Sequence, residues 1–135
     1  MTNPSVEADG FDVLLDDGTT AGLTARRALL AGNGALPASV REDVLLLVTE
    51  LVNNAFRHAS AGPDRPVRVE LRCWSQLVRV AVVDRGSGFT HEPAPSPGDE
   101  SGGWGLFLVD RIADRWEVTS TSWGTRVWFD IRYGE

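Results

Sequence analysis

Apolar and polar positions change period several times along this chain, and each change marks an element. Phe11 to Leu15 alternates as a short strand. From about Thr20 to Ala31 the apolar residues recur at helical spacing, until Gly32-Asn33-Gly34 stops them. A longer helical pattern follows Pro37, with Ser39-x-x-Glu42 reading as its capping box. At about 100° per residue, Val44, Val48, Leu51, Val52, Ala55 and Ala59 form its core stripe, whereas Asp43, Glu50, Asn54 and Arg57 share a narrow sector on the other side. Alternation returns in Val67 to Cys73 and in Leu77 to Val83, two strands joined through a tight hairpin at Trp74-Ser75-Gln76. Leu106, Val109, Ile112 and Ala113 give a third helical stripe, and Trp116 to Ser122 and Arg126 to Arg132 two closing strands. The order βααββαββ predicts an α+β chain: a two-layer sandwich with helices on one face of a mixed, mostly antiparallel sheet. Residues 1–10 are expected to be a disordered N-terminus and 11–135 a single domain.

Three stretches carry candidate chemistry. Asn53 and Asn54 are poor helix-interior choices, because their side chains compete for backbone hydrogen bonds, so something besides propensity keeps them there. Glu50 and Asn54, four apart on one face, put a carboxylate beside a carboxamide, which suits proton transfer and magnesium ligation; the plainer reading is a solvated helix face. The run Val80-Ala81-Val82-Val83 ends in Asp84-Arg85-Gly86-Ser87-Gly88, an acid and two glycines at a strand's carboxyl end. An ionised Asp only accepts hydrogen bonds, so an exocyclic amine such as that of adenine suits Asp84, while glycines let a ligand approach the backbone. Alone, that pattern is equally an ordinary turn. Gly102-Gly103-Trp104-Gly105 then opens a helix, whose unpaired amides and positive dipole end fit a triphosphate better than a neutral ligand. It is not a Walker loop: G-x-x-x-x-G-K-[ST] is absent, and all 13 basic residues are Arg.

Composition narrows the classes. With 135 residues and 42% hydrophobic content the chain can bury one good core. A net charge of -6 argues against direct nucleic-acid binding, and no apolar run is long enough to span a bilayer. The opening MTNPSVEADG is neither basic nor apolar, so a cytoplasmic location is expected. Cys73, the single cysteine, alternates with Val67, Val69 and Leu71 and reads as a buried thiol. Between the second and third stretches, Thr90 to Ser101 carries three prolines at alternate positions and no apolar period, and a lid is expected at about 89–102. His91 within it is expected to face water. Trp74, Trp104 and Trp123 are candidate interface anchors.

Taken together, Glu50 to Asn54 on a helix, Asp84-x-Gly86-x-Gly88 after a strand, Gly103-x-Gly105-Leu106 opening a helix and Gly124-Thr125 before a last strand stand in one order. The series resembles the nucleotide-binding boxes of the GHKL ATPase superfamily, shared by DNA gyrase, heat-shock chaperones and sensor histidine kinases. The phrases TELVNNAFRHA and GGWGLFLVDRIADRW most resemble bacterial anti-sigma-factor serine/threonine kinases. The resemblance covers roughly residues 20 to 132 and implies the histidine-kinase-like ATPase fold, with ATP and Mg2+ as cofactors. It makes Asn54 the magnesium ligand and Glu50 the base that takes the proton from an attacking hydroxyl. Asp84 would read the adenine amine, Gly86 and Gly88 would let the base approach, and Gly103, Gly105 and Leu106 would belong to the phosphate box. Thr125 would support the adenine end through its hydroxyl. Arg57 is either a phosphate contact or a solvated helix charge, and His58, at the edge of the polar sector, reads as structural rather than catalytic.

Two functions of different class follow. One is an anti-sigma-factor kinase that binds a sigma factor and phosphorylates a Ser or Thr of an anti-anti-sigma antagonist, with homodimerisation left open. The other is a nucleotide-gated binding module that holds ATP and changes partners without transferring phosphate. Glu50 favours the first, since a pure binder needs Asn54 and the glycines but no base.

Overall fold

A computed structural model of the chain describes residues 9–31, 36–58, 61–85, 104–121 and 124–134. Its elements are β1 (Asp9–Leu15), α1 (Ala21–Ala31), a 3-10 turn at Ala38–Val40, α2 (Arg41–His58), β2 (Val67–Trp74), β3 (Leu77–Asp84), α3 (Trp104–Ile112), β4 (Arg115–Thr121) and β5 (Gly124–Arg132). The strands form one five-stranded sheet in the order β1-β2-β3-β5-β4. The expected architecture is present, with every pairing among the described strands antiparallel.

Period-2 alternation decides which way each strand faces. Val67, Val69, Leu71 and Cys73 of β2, Val78, Val80 and Val82 of β3, and Val127, Phe129 and Ile131 of β5 are buried on the helix side. Phe129, fully buried, is the largest side chain at the centre of this layer. The α2 stripe of Val44, Val48, Leu51, Val52 and Ala55 is buried against it as the sequence predicts. Helix α2 packs on β2 and β3 between α1, which lies against β1, and α3, which lies against β4. Cys73 is buried, as expected. Ser75 and Gln76 turn the hairpin, since Trp74 pairs with Leu77. The C-terminal segment is tied to that hairpin: the Tyr133 hydroxyl donates to the Trp74 carbonyl, and the Tyr133 amide donates to the Gln76 carbonyl.

Three local expectations differ. Asp9 and Gly10, read as part of a disordered N-terminus, open β1 and pair with Cys73 and Arg72. Ser39 does not cap α2 as part of a box. Pro37, with φ -63 and ψ 142, enters a 3-10 turn in which Ser39 is an interior residue, and that turn runs directly into α2. Gly124 and Thr125 lie inside the last strand rather than before it. No described helix is long and apolar enough to cross a membrane.

Candidate functional site

The site begins where β3 ends and β5 starts. Asp84 pairs in register with Thr125, and both continue the helix-side rows of Val82 and Val127. Their side chains are therefore turned into the domain, and only 7% of Asp84 and 2% of Thr125 is exposed. The Thr125 Oγ1 is buried and has no hydrogen-bond partner among the described residues. A buried hydroxyl left open costs about 1–3 kcal/mol, so a protein retains one where a ligand completes it. Gly124 explains how β5 comes so close: a Cβ there would overlap the Asp84 carbonyl oxygen. Only glycine tolerates that backbone approach. A Thr125→Val variant is accordingly expected to raise the unfolding free energy by about 1 kcal/mol, because the isosteric methyl removes the open hydroxyl. Chemical denaturation measures it, and a loss of stability would mean that the hydroxyl is satisfied in the apoprotein.

Connectivity brings two helices to this same end of the sheet. Gly18, just beyond β1, lies beside Phe56 in the last turns of α2, where an added Cβ would come within 3.0 Å of the ring. The last residue of β1, Leu15, pairs with Val67, next to the Arg68–Val83 pair. The carboxyl end of α2 therefore stands over the Asp84–Thr125 end of the sheet. Helix α3 is fixed at its other terminus: the Asp114 amide donates to the Asp130 carbonyl at 2.9 Å, the Arg132 amide to the Asp114 carboxylate at 2.7 Å and the Trp116 indole to the Asp110 carboxylate at 3.0 Å. From the Asp130 end of the sheet, nine helical residues run back about 13 Å, which returns the amino end of α3 towards Thr125.

The helix face has two flanks. Asn53 packs towards α1, where a Cβ on Gly22 would lie 3.3 Å from its Oδ1, so this asparagine has a packing neighbour of its own. Asn54 is turned about 100° from Asn53, away from α1, and Glu50 lies one turn earlier on the same side. Both are half-buried, as a side chain at the rim of a site is, whereas Asp43 and Arg57 are exposed. Arg57 projects from the last turn of α2, a position compatible with a phosphate contact and with solvation alike. His58 closes α2, and its side chain lies outside what is described.

At the start of α3, Trp104 and Gly105 occupy the first turn, whose amides have no intrahelical acceptor. The Leu106 side chain is buried in the core cluster, so what it offers a ligand is its amide, and its side chain seats the turn. Gly86, Gly88, Gly103, His91 and the expected lid at 89–102 lie outside the described residues, as do Trp123 and the Trp104 side chain; Trp74 is half-buried. No cluster of three or more His, Cys, Asp or Glu able to hold a metal occurs among the described residues. A magnesium ion held by one carboxamide and by phosphate oxygens needs none, because this ion usually takes one or two protein ligands and completes its shell from substrate and water. The orphaned Thr125 hydroxyl, the buried Asp84 and the close backbone at Gly124 fit a nucleotide base, and the open amides of α3 fit its phosphates.

Sequence reading missed the roles of Gly124 and Gly22. The signal for Gly124 was present, a glycine directly before Thr125, but its reason lies across the sheet in the Asp84 backbone.

A family model described as the histidine kinase-like ATPase domain matches residues 15–131. Among solved structures, the histidine kinase domain of the Erythrobacter litoralis EL346 blue-light activated histidine kinase is similar, with a TM-score of 0.58 and 25% identity over 84% of this chain and 58% of that one. A second structure of that blue-light activated kinase gives 0.55 and 26%, over 82% of this chain and 39% of its own. This chain thus spans less than two thirds of either neighbour. No curated protein matches it.

Proposed function

Because this chain belongs to the histidine kinase-like ATPase domain family, whose members bind ATP, usually with Mg2+, we propose that it is an ATP-dependent serine/threonine kinase acting as an anti-sigma factor. In this reading it holds a sigma factor and phosphorylates an anti-anti-sigma antagonist. The observation that supports nucleotide binding most directly is the buried Thr125 hydroxyl, with no partner among the described residues, beside buried Asp84, at the end of the sheet where α2 ends and towards which the amino end of α3 is turned. Asp84 accepts the adenine amine, and Thr125 supplies a hydroxyl to the same end. Gly86 and Gly88 give the base room. The amides of Gly103, Gly105 and Leu106 receive phosphate oxygens at the positive end of α3. Asn54 ligates the magnesium ion, and Arg57 reaches phosphate from the last turn of α2.

Bound ATP with Mg2+ supplies the transferable phosphoryl group and the charge that neutralises it. The chain's own residue in the transfer is Glu50, one turn from Asn54. Its carboxylate accepts the proton of the incoming Ser or Thr hydroxyl. The choice of a hydroxyl rather than a histidine rests on Glu50 and on the likeness of TELVNNAFRHA to anti-sigma kinases. The protein works in the cytoplasm, where ATP and both partners are available.

One experiment tests the whole reading. Tagged protein is used to capture partners with ATP or with ADP, and captured proteins are examined for phosphoserine, phosphothreonine and phosphohistidine. A sigma factor and an antagonist carrying phosphoserine or phosphothreonine are expected. Phosphate on histidine would overturn the residue specificity, and ATP-dependent partner exchange with no transfer would replace the kinase by the nucleotide-gated binding module. Asn54→Ala should impair magnesium-dependent ATP binding and transfer together, since a lost metal ligand affects both. Calorimetry with and without magnesium checks it: equal affinities for variant and wild type would remove Asn54 from the metal.

A further inference from the structure

The sheet face turned away from the helices carries an ordered set of charges that nucleotide binding does not use. In one row across β2, β3 and β5 stand Arg68, Val83 and Arg126; in the next stand Glu70, Ala81 and Trp128, with the exposed Glu117 of β4 beside Trp128; in the third stand Arg72, which pairs with Asp12 of β1, Arg79 and Asp130, with Arg115 of β4 beside Asp130. Two clusters are built alike. Glu70 receives Arg68 at 3.2 Å and Arg126 at 2.8 Å, and Asp130 receives Arg79 at 2.6 Å and Arg115 at 3.8 Å. Each carboxylate is thus shared by two guanidinium groups, so each cluster keeps one positive charge in excess. Trp128 lies between them, with Arg79 4.4 Å and Arg115 5.8 Å from its ring centroid. The ring and the carboxylates hold the guanidinium groups in place, yet these side chains remain 36–63% exposed. In the whole chain the balance is reversed, with 19 acids against 13 arginines.

We propose that this open sheet face docks an acidic protein segment, whose carboxylates sit on the Arg68–Arg126 and Arg79–Arg115 pairs either side of Trp128. The two arginine rows are four residues apart along the strands, about 13 Å, a distance that one extended segment or one helix can bridge. Pre-ordered guanidinium groups lose little freedom on pairing with a carboxylate, and a half-buried Trp between them supplies an apolar contact. Charge complementarity selects against a second copy of this chain. A second copy docking by a two-fold axis would set the same patch against itself, surplus positive charge on surplus positive charge. A nucleic-acid strand is also an anion and meets the same Glu70 row and the same net charge of -6, so the oligonucleotide arm of the test below separates it from an acidic protein segment.

A fluorescein-labelled octaglutamate peptide provides the probe, read by anisotropy at low salt. Wild type should bind it, and added NaCl should weaken the binding. Arg68→Gln with Arg126→Gln should lower the affinity about tenfold, as expected for two charge contacts at a partly exposed surface. Glu70→Gln should raise it, because two guanidinium groups lose their internal partner; a merely structural role for the cluster would not give opposite signs. Circular dichroism confirms that each variant is folded, and Arg115→Gln replaces the double variant if that one is not. Equal binding of octalysine, no difference between the variants, or tighter binding of an eight-phosphate oligonucleotide would each overturn the proposal. Dimerisation through this face, seen as a sedimentation shift abolished by the arginine substitutions, would overturn it as well.

Discussion

Glu50→Gln is expected to lower phosphoryl transfer to the protein substrate about 10² to 10⁴ fold while leaving ATP affinity nearly unchanged. Glutamine keeps the size of the side chain and its hydrogen-bonding reach but cannot accept the hydroxyl proton. The structure favours a clean result. Glu50 is half-buried on the flank of α2 turned away from α1, and none of the hydrogen bonds or ion pairs among the described residues uses its carboxylate, so removing the charge breaks none of those pairs. Single-turnover transfer with saturating ATP gives the rate, and calorimetry gives the affinity. Transfer at the wild-type rate would remove Glu50 from the role of base; a parallel fall in ATP affinity would instead place it in nucleotide or metal binding.

Much of the fold is visible in the periodicity because the helices and strands are amphipathic in two dimensions only. Val67, Val69, Leu71 and Cys73 alternate with Arg68, Glu70 and Arg72, and the structure buries the first set and turns the second outward. What alternation does not contain is the partner of each outward residue. Arg79 meets Asp130 across a separation of 51 residues, and Arg126 meets Glu70 across 56. Those distances are created by the strand order, in which β5 lies between β3 and β4, and the order is not a local property. The same holds for Asn53. As a helix-interior asparagine it suggests function, yet its neighbour Gly22 on α1 gives it a packing position, and it is Asn54 that is turned away from α1.

The site shows a similar division. Asp84 at the end of an apolar run and Thr125 after a glycine can both be picked out from residue type and position. That the two are paired opposite one another, buried, and that one hydroxyl is left without a partner follows only from the register of β3 with β5. The start of α2 departs from what its composition suggests for a physical reason. Ser39-x-x-Glu42 has the composition of a capping box, but Pro37 fixes a backbone that begins a 3-10 turn, and Val40 is buried one residue before α2 begins.

Asp84→Ala is expected to weaken ATP binding by about 1 to 3 kcal/mol, roughly 5- to 150-fold, because the adenine amine would then be buried without its acceptor. Asp84 is 7% exposed at the end of β3, so water cannot readily replace the lost carboxylate. The size of the loss has to be separated from damage to the sheet end, where the Asp84 backbone also meets Gly124. Asp84→Asn makes that separation. Its carbonyl oxygen can still accept the amine while its volume matches, so the fold is kept and affinity should fall less than in the alanine variant. The discriminating measurement is calorimetry with ATP and with a purine nucleotide that carries a carbonyl in place of the exocyclic amine. Wild type should prefer ATP strongly, and Asp84→Ala should lose most of that preference along with its affinity. If the alanine variant binds more weakly but keeps the same preference for the amine, Asp84 supports the fold of the site and another group reads the base.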